Sequence, residues 1–260
     1  MKPNTSWDHV AEWYDEFLET SKDSYQKNVI LPNMVHVLNL KKKDRVLDLA
    51  CGRGFFSRQF AQTGAQVTGV DASRELIALA RAHSPRQIMY HVLSADKLEG
   101  IASKSFAIIT IILALQNIKN MAGVFAECRR VIASHGRIIL VINHPAFRIP
   151  KQSSWGWDSA QRVQYRRVDS YLTESKIMID MHPGAKEKKT TLSFHRPLQT
   201  YINTLAGYDF AVTRMEEWIS HRISMKGPRQ VAENHSRKEI PLFLMIEARF
   251  HCEGLYNNNI

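Results

Sequence analysis

Four residues spaced two apart, Asp48, Ala50, Gly52 and Gly54, sit where an apolar run ends, and a second acid, Asp71, ends the next apolar run, residues 67–70. Acid, small residues and acid in this order describe a ligand cradle. Gly52 and Gly54 let the backbone turn sharply and leave room for a ligand to lie against it. The helix that follows points its free amides at the same spot. Asp71 stands where a carboxylate can accept two ribose hydroxyls. A dinucleotide fingerprint would need a third glycine after x-x, and Phe55 and Phe56 follow Gly54 instead. Asp48 at the head of the run favours a ligand with an amino group and would repel a pyrophosphate.

Each of these two segments reads as a short apolar strand, a small-residue turn and an amphipathic helix, the repeating unit of a parallel α/β sheet. Ligands of such sheets bind at the carboxyl ends of the strands. The run Asp48-x-Ala50-x-Gly52-x-Gly54 resembles the first motif, D/E-x-G-x-G-x-G, of the class I S-adenosylmethionine-dependent methyltransferases of the type 11 and type 25 kind. Ala50 replaces the first glycine. The resemblance covers residues 44–143 by specific motifs and residues 198–250 by pattern alone.

That resemblance implies a Rossmann-like α/β fold with a seven-stranded, mostly parallel sheet, helices on both faces, an antiparallel last strand and a lid insertion after strand five. It implies S-adenosylmethionine as cofactor. Asp48, Ala50, Gly52 and Gly54 would hold it from the first motif, Asp71 and Ala72 from the end of the second strand, and Ala95 and Asp96 from the end of the third. Asp96 would receive the adenine amino group. Leu113 and Gln116 would contribute where the fourth strand ends at Ala114-Leu115-Gln116-Asn117, the floor under the sulfonium. Tyr14, or Trp7, would close over the cofactor from an N-terminal helix. No metal is expected.

The elements can be placed from periodicity. Val10, Trp13, Tyr14, Phe17 and Leu18 recur at helical spacing behind a Thr5-x-x-Asp8 start signal. A second helix spans residues 24–40 despite Pro32, and Lys41-Lys42-Lys43 makes a solvated turn. Ser73 caps a helix running to Ala82, stopped by Pro85. The third strand covers residues 88–93. Met121, Val124, Phe125, Cys128, Val131 and Ile132 follow the i, i+3, i+4, i+7 rule of a core-facing helix. Strands are expected over residues 137–143, 210–219 and 240–250, with a helix over 198–206 and a hairpin-like return between the last two strands.

The chain of 260 residues, 44% hydrophobic, suffices for one domain: cover helices in 1–43, a cofactor-binding core in 44–143, a substrate lid in 144–197 and the rest of the sheet in 198–260. Cys51, Cys128 and Cys252 are odd in number and scattered, so neither a disulfide framework nor a zinc site is indicated. A reducing cytoplasm is the expected location. Residues 1–17 lack the apolar core of a signal peptide, and the longest apolar run, 106–115, is too short to span a bilayer.

Two stretches stand outside the repeating pattern, residues 144–197 and 220–238. The first holds ten Lys/Arg against five Asp/Glu and the second five against one, so they carry nearly all of the chain's net charge of +10. A sulfonium cofactor needs no such field, which points to an anionic partner. Trp155, Tyr165, Arg166, His182 and His195 are the candidate substrate residues, aromatic walls with a few polar groups. Arg166 and Arg167 could grip a carboxylate or phosphate bidentately. An oxygen or carbon acceptor would also want a base, and His144, just after strand five, is the first candidate.

The reading favoured is a methyltransferase acting on a small, anionic molecule by in-line displacement. An RNA or protein methyltransferase using the basic lid is the second. Against it, the Asn/Asp-Pro-Pro-Tyr/Phe motif of base-amino methylation is missing after strand four. A third is an S-adenosylmethionine-binding protein without catalysis. Oligomeric state is not readable.

Overall fold

The computed structural model describes residues 23–180 and 190–251. The expected first helix, with Trp7 and Tyr14, lies outside the described residues, as do His182 and Cys252. The first strands are β1 (Arg45–Leu49), β2 (Gln66–Asp71), β3 (Met89–Val92), β4 (Phe106–Ile112) and β5 (Ile132–Asn143). Two hairpins follow, β6 (Ser153–Asp158) with β7 (Val163–Val168), and β8 (Ser175–Asp180) with β9 (Thr190–His195). Then come β10 (Phe210–Trp218) and β11 (Phe243–Phe250).

One seven-stranded sheet takes the order β10-β11-β5-β4-β1-β2-β3. β11 runs antiparallel to both of its neighbours, and the other six strands are mutually parallel. This is a Rossmann-like sheet with an antiparallel last strand, as the resemblance implies.

Alternation along the strands builds two apolar layers. Leu47, Leu49, Ile109, Ile111, Ile138, Leu140, Ile142, Leu244 and Ile246 face one core. Val46, Ile108, Ile112, Ile139, Val141, Phe243 and Met245 face the other. The first is covered by α4 (Met121–Val131) and α5 (Leu198–Gly207), the second by α1 (Leu31–Leu38), α2 (Phe55–Ala61) and α3 (Arg74–Ala82). Every apolar position of the α4 stripe is buried, from Met121 to Val131. Each such side chain contributes about 1.5–3 kcal/mol.

Local chemistry explains the element ends. Ser73 caps α3 by accepting from the Leu76 amide at 3.1 Å, and Asn120 caps α4 by accepting from the Gly123 amide at 3.0 Å. Pro32 has no amide to give Asn28, and the chain meets it through a π-helical turn, Gln26–Ile30, in which the Leu31 amide reaches the Gln26 carbonyl.

Three expectations need correction. β4 stops at Ile112 rather than running to Leu115, because Leu113 turns to φ +53° and a 3₁₀ turn, Leu115–Asn117, follows. β5 begins at Ile132, directly where α4 ends, with an irregularity near His135 at φ +63°. The return from β10 to β11 is not hairpin-like: it carries a helix, α6 (Gln230–Glu239).

The two stretches outside the repeat meet each other. Ser236 on α6 donates its hydroxyl to the Gln164 carbonyl of β7 at 2.8 Å, and Arg229 stacks on Trp157 of β6 at 4.7 Å. Both stretches leave from the carboxyl ends of parallel strands, β5 and β10. Among the described residues, no helix is long and apolar enough to cross a membrane.

Candidate cofactor site

A cavity of about 290 Å³ opens at the carboxyl ends of β1, β2 and β4. Its wall takes Asp48, Ala50, Cys51 and Gly52 from β1 and the turn after it, Asp71 and Ala72 from the end of β2, and Ser94 and Ala95 beyond β3. Leu113, Ala114, Asn117 and Ile118 close the side after β4, and Gln26, Phe55 and Leu76 close the remainder. Most of the expected cofactor set is thus brought to one place from four separate segments.

The turn after β1 is left-handed at three positions: Ala50 at φ +57°, Gly52 at +56° and Gly54 at +74°. The two glycines serve different purposes. A Cβ on Gly52 would meet nothing within 4 Å, so this stretch of bare backbone faces open space on the cavity wall. A Cβ on Gly54 would collide with Tyr90, its ring carbon Cζ at 2.9 Å. Gly52 makes room for a ligand, and Gly54 makes room for the protein.

Asp48 is 2% exposed. Its Oδ2 accepts from the Ser57 hydroxyl at 2.5 Å and its Oδ1 from Thr110 at 3.1 Å. Burial pushes its pKa up to about 6 against the pull of these two hydrogen bonds, with the charge of Asp71 adding to the rise. Cys51 is pushed well above the usual thiol range, first by burial and then by the same two acids, so it is an inert thiol. Asp71 uses both oxygens on the local backbone: Oδ2 accepts from the Gly52 amide and Oδ1 from the Ser73 amide, each at 2.9 Å. The second acid therefore braces the first turn.

These residues fit a sulfonium nucleoside. Gly52 presents bare backbone beside open space, the carboxylates of Asp48 and Asp71 can take an ammonium and hydroxyls, and Leu76, Leu113 and Ile118 supply an apolar wall for a base and a thioether.

Three expected cofactor residues are not on the cavity wall: Asp96, Gln116 and Gly54, the last of which is set against Tyr90. Asp96 accepts from Ser94 and from Asn120 Nδ2 at 2.9 Å. Burial pulls it up, but those hydrogen bonds outweigh burial and hold it below the usual carboxylate value. Gln116 is buried and turned back on the Leu113 carbonyl at 2.8 Å, while its neighbour Asn117 reaches the cavity.

The expected base and those of the expected substrate residues that are described do not line this cavity. His144 donates Nε2–H to Glu217 at 2.8 Å and accepts the Ala146 and Phe147 amides on Nδ1, stacked on the Phe147 ring. Burial lowers its pKa more than Glu217 raises it. Both ring nitrogens are spent on the turn after β5. Arg166 donates to the Phe147 carbonyl at 2.7 Å and to Ser153, and lies over Trp155. Arg167 pairs with Asp169, His195 donates to the Tyr171 carbonyl at 2.7 Å, and Tyr165 is exposed beside Gly156.

Sequence reasoning missed Ser57, Tyr90 and Thr110, and it named Asn117 only within the run that ends the fourth strand. Thr110 had a signal, as the polar residue inside the apolar run Phe106–Ile112. Tyr90 had none, because its task depends on β3 lying beside β2.

The methyltransferase-domain family matches residues 47–140 of the chain. Over 221 residues the chain is 28% identical to an uncharacterized protein of Haemophilus influenzae, covering 81% of this chain and 84% of that protein. It is 34% identical over 99 residues to a ubiquinone biosynthesis O-methyltransferase of Xanthomonas oryzae. That match covers 37% of this chain and spans only 41% of the relative's length. The crystal structure of an S-adenosylmethionine dependent methyltransferase from Mesorhizobium loti superposes with a TM-score of 0.70 at 26% identity, over 87% of this chain and 100% of that one. Residues 47–140 carry a methyltransferase domain, and the chain has the fold of the class I S-adenosylmethionine-dependent methyltransferases. Its cofactor is S-adenosylmethionine.

Proposed function

We propose that this chain transfers the methyl group of S-adenosylmethionine to a small, anionic organic molecule. The observation that carries the reading is the convergence of Asp48, Gly52 and Asp71 on one cavity at the strand ends, with an apolar wall opposite. When bound, the cofactor supplies a methyl carbon already activated by positive sulfur. The chain's own part is to position and to exclude water.

Asp48, ionised, holds the ammonium of the methionine end, and Asp71 takes the ribose hydroxyls. Leu113 and Ile118 keep water from the reacting centre. Orientation of this kind is worth effective molarities on the order of 10⁵–10⁸ M. Among the described residues the cavity wall carries no histidine; the part read from them is positioning. The insertion of residues 144–197 is proposed as the substrate lid, since it leaves from the cofactor edge of the sheet and its strand β9 leads into Arg196 beside the cavity's floor. The name of the Xanthomonas oryzae relative supports a small acceptor, and the basic insertions support an anionic one.

Calorimetric titration with S-adenosylmethionine, with NAD⁺ as control, is combined with transfer of labelled methyl groups into a fractionated metabolite extract. Binding of the methyl donor alone and label in small acidic compounds are the expected results. Label in RNA or protein instead would overturn the small-molecule half, and failure to bind the donor would overturn the whole reading.

A further inference from the structure

Arg148 stands on the turn after β5, ahead of β6, and its side chain folds back across the end of β5. The Arg148 amide donates to the His144 carbonyl at 2.9 Å, closing the turn. Its Nη1 donates to Oδ1 of Asn143, the last residue of β5, at 2.8 Å. The guanidinium lies 5.2 Å from the ring centre of Phe243, which pairs with Asn143 across the sheet. A partly buried cation is thus fixed in place by one neutral hydrogen bond and one aromatic face.

The acids at this end of the sheet are engaged elsewhere. Glu217 takes His144 at 2.8 Å, and Asp23 takes His221 at 2.5 Å and Arg222 at 3.1 Å. Among the described residues no carboxylate lies within ion-pair distance of Arg148. Burial holds its guanidinium below the usual arginine range, with the Tyr25 phenol pulling the other way and Arg166 adding to the fall. A cation kept in such surroundings without a counter-charge is costly. The cost is met when a ligand brings the anion.

Arg148 is not itself on the wall of the cofactor cavity, but its surroundings connect to that wall by two routes. The Leu113 amide, on the cavity wall, donates to Val141 of β5 at 2.7 Å, two residues before Asn143. Tyr25 packs edge-on against Phe243 at 5.5 Å, and its chain neighbour Gln26 lines the cavity. The arginines singled out in the sequence are already committed, Arg166 to a carbonyl and a hydroxyl, Arg167 to Asp169.

We propose that Arg148 receives the oxyanion of the methyl acceptor, a carboxylate or phosphate, at the carboxyl end of β5. The inference rests on the small-molecule reading above and names the residue that would read the acceptor's charge. A guanidinium with donors to spare matches an oxyanion bidentately, which an ammonium does not.

The test uses the full chain saturated with S-adenosylhomocysteine. Benzoate, 4-hydroxybenzoate and phenyl phosphate are titrated against benzamide, 4-hydroxybenzamide and phenol. At least one anion should bind while its neutral partner does not. Arg148→Gln should weaken that anion about tenfold to a hundredfold and leave S-adenosylhomocysteine affinity unchanged. Arg148→Lys should recover part of the loss, and it decides the matter should Arg148→Gln fail to fold, by weakening the anion severalfold with the nucleoside unaffected. No binding by any anion, or equal binding by the variants, overturns the inference. Failure of the wild-type chain to bind S-adenosylhomocysteine would instead count against the cofactor reading.

Discussion

The Ser57 hydroxyl donates to Oδ2 of Asp48 across 2.5 Å, tying the first turn of α2 to the end of β1. Asp48 holds its proton up to about pH 6 in the fold, against ~3.9 in an unfolded chain. Its folded value is raised, so its contribution to stability is complete below about pH 4 and is lost as pH rises through 6, on the order of 3 kcal/mol. The ammonium contact proposed for Asp48 needs the ionised form. Affinity for S-adenosylmethionine should therefore hold between pH 7 and 8 and fall below 6. Asp48→Asn should flatten both profiles, binding weakly throughout and resisting denaturant better at pH 7.5. A pH-independent affinity in the wild type would contradict this.

Ala50 takes the left-handed conformation at φ +57° that the family motif gives to glycine. A Cβ there costs about 1–2 kcal/mol, and glycine's extra freedom in the unfolded chain returns part of it. Ala50→Gly should raise stability by ~0.5–1 kcal/mol at unchanged cofactor affinity. Chemical denaturation of the two proteins checks it, and a less stable variant would mean the turn is not left-handed there.

Gly54 and Tyr90 occupy space that a single added methyl would contest. Gly54→Ala should lose ~3 kcal/mol or more, strain at φ +74° and the collision together. Tyr90→Phe removes the nearest atom. In the double variant the loss should be smaller than the sum of the two single changes, by ~0.5–2 kcal/mol. Strict additivity would show that Tyr90 is not the obstacle.

Arg196 is 7% exposed and its Nη2 donates to the carbonyls of Ile118 at 2.8 Å and Lys119 at 2.9 Å, with the Phe194 ring beneath it. It joins the second hairpin to the loop that carries Asn117 and Ile118 into the cavity. Arg196→Met should cost ~2–4 kcal/mol and weaken S-adenosylmethionine severalfold, with Arg196→Lys between. Calorimetry showing full affinity in the methionine variant would remove Arg196 from the site.

The legible parts of the fold are those decided by neighbours in sequence. The Ser73 cap, the α4 stripe and the apolar strands each depend on residues within one or two turns, and the sheet follows from the strand-turn-helix repeat. The boundaries that differ from expectation depend on distant contacts. β4 stops where Leu113 turns, and the amide of Leu113 is taken by Val141 of β5, a strand further along the chain. α6 has only Ser236 buried and little apolar stripe to announce it.

The site divides in the same way. Asp48, Gly52 and Asp71 can be named from the amino-acid sequence alone, because a strand, its glycine turn and the end of the next strand follow one another along the chain, and the parallel pairing of β1 with β2 then sets all three on one cavity wall. Charge counts single out the basic insertions for a similar reason, since composition is local. Which of their cations keeps N–H donors to spare is not visible there. Arg166 and Arg148 are alike as residues, and what separates them is whether a carbonyl, a hydroxyl or only Asn143 and Phe243 arrive beside the guanidinium. His144 reads as a base in the sequence, and in the fold Glu217, 73 residues away along the chain, claims its Nε2. Composition decides that such groups are present; long-range packing alone decides which of them are left with chemistry to do.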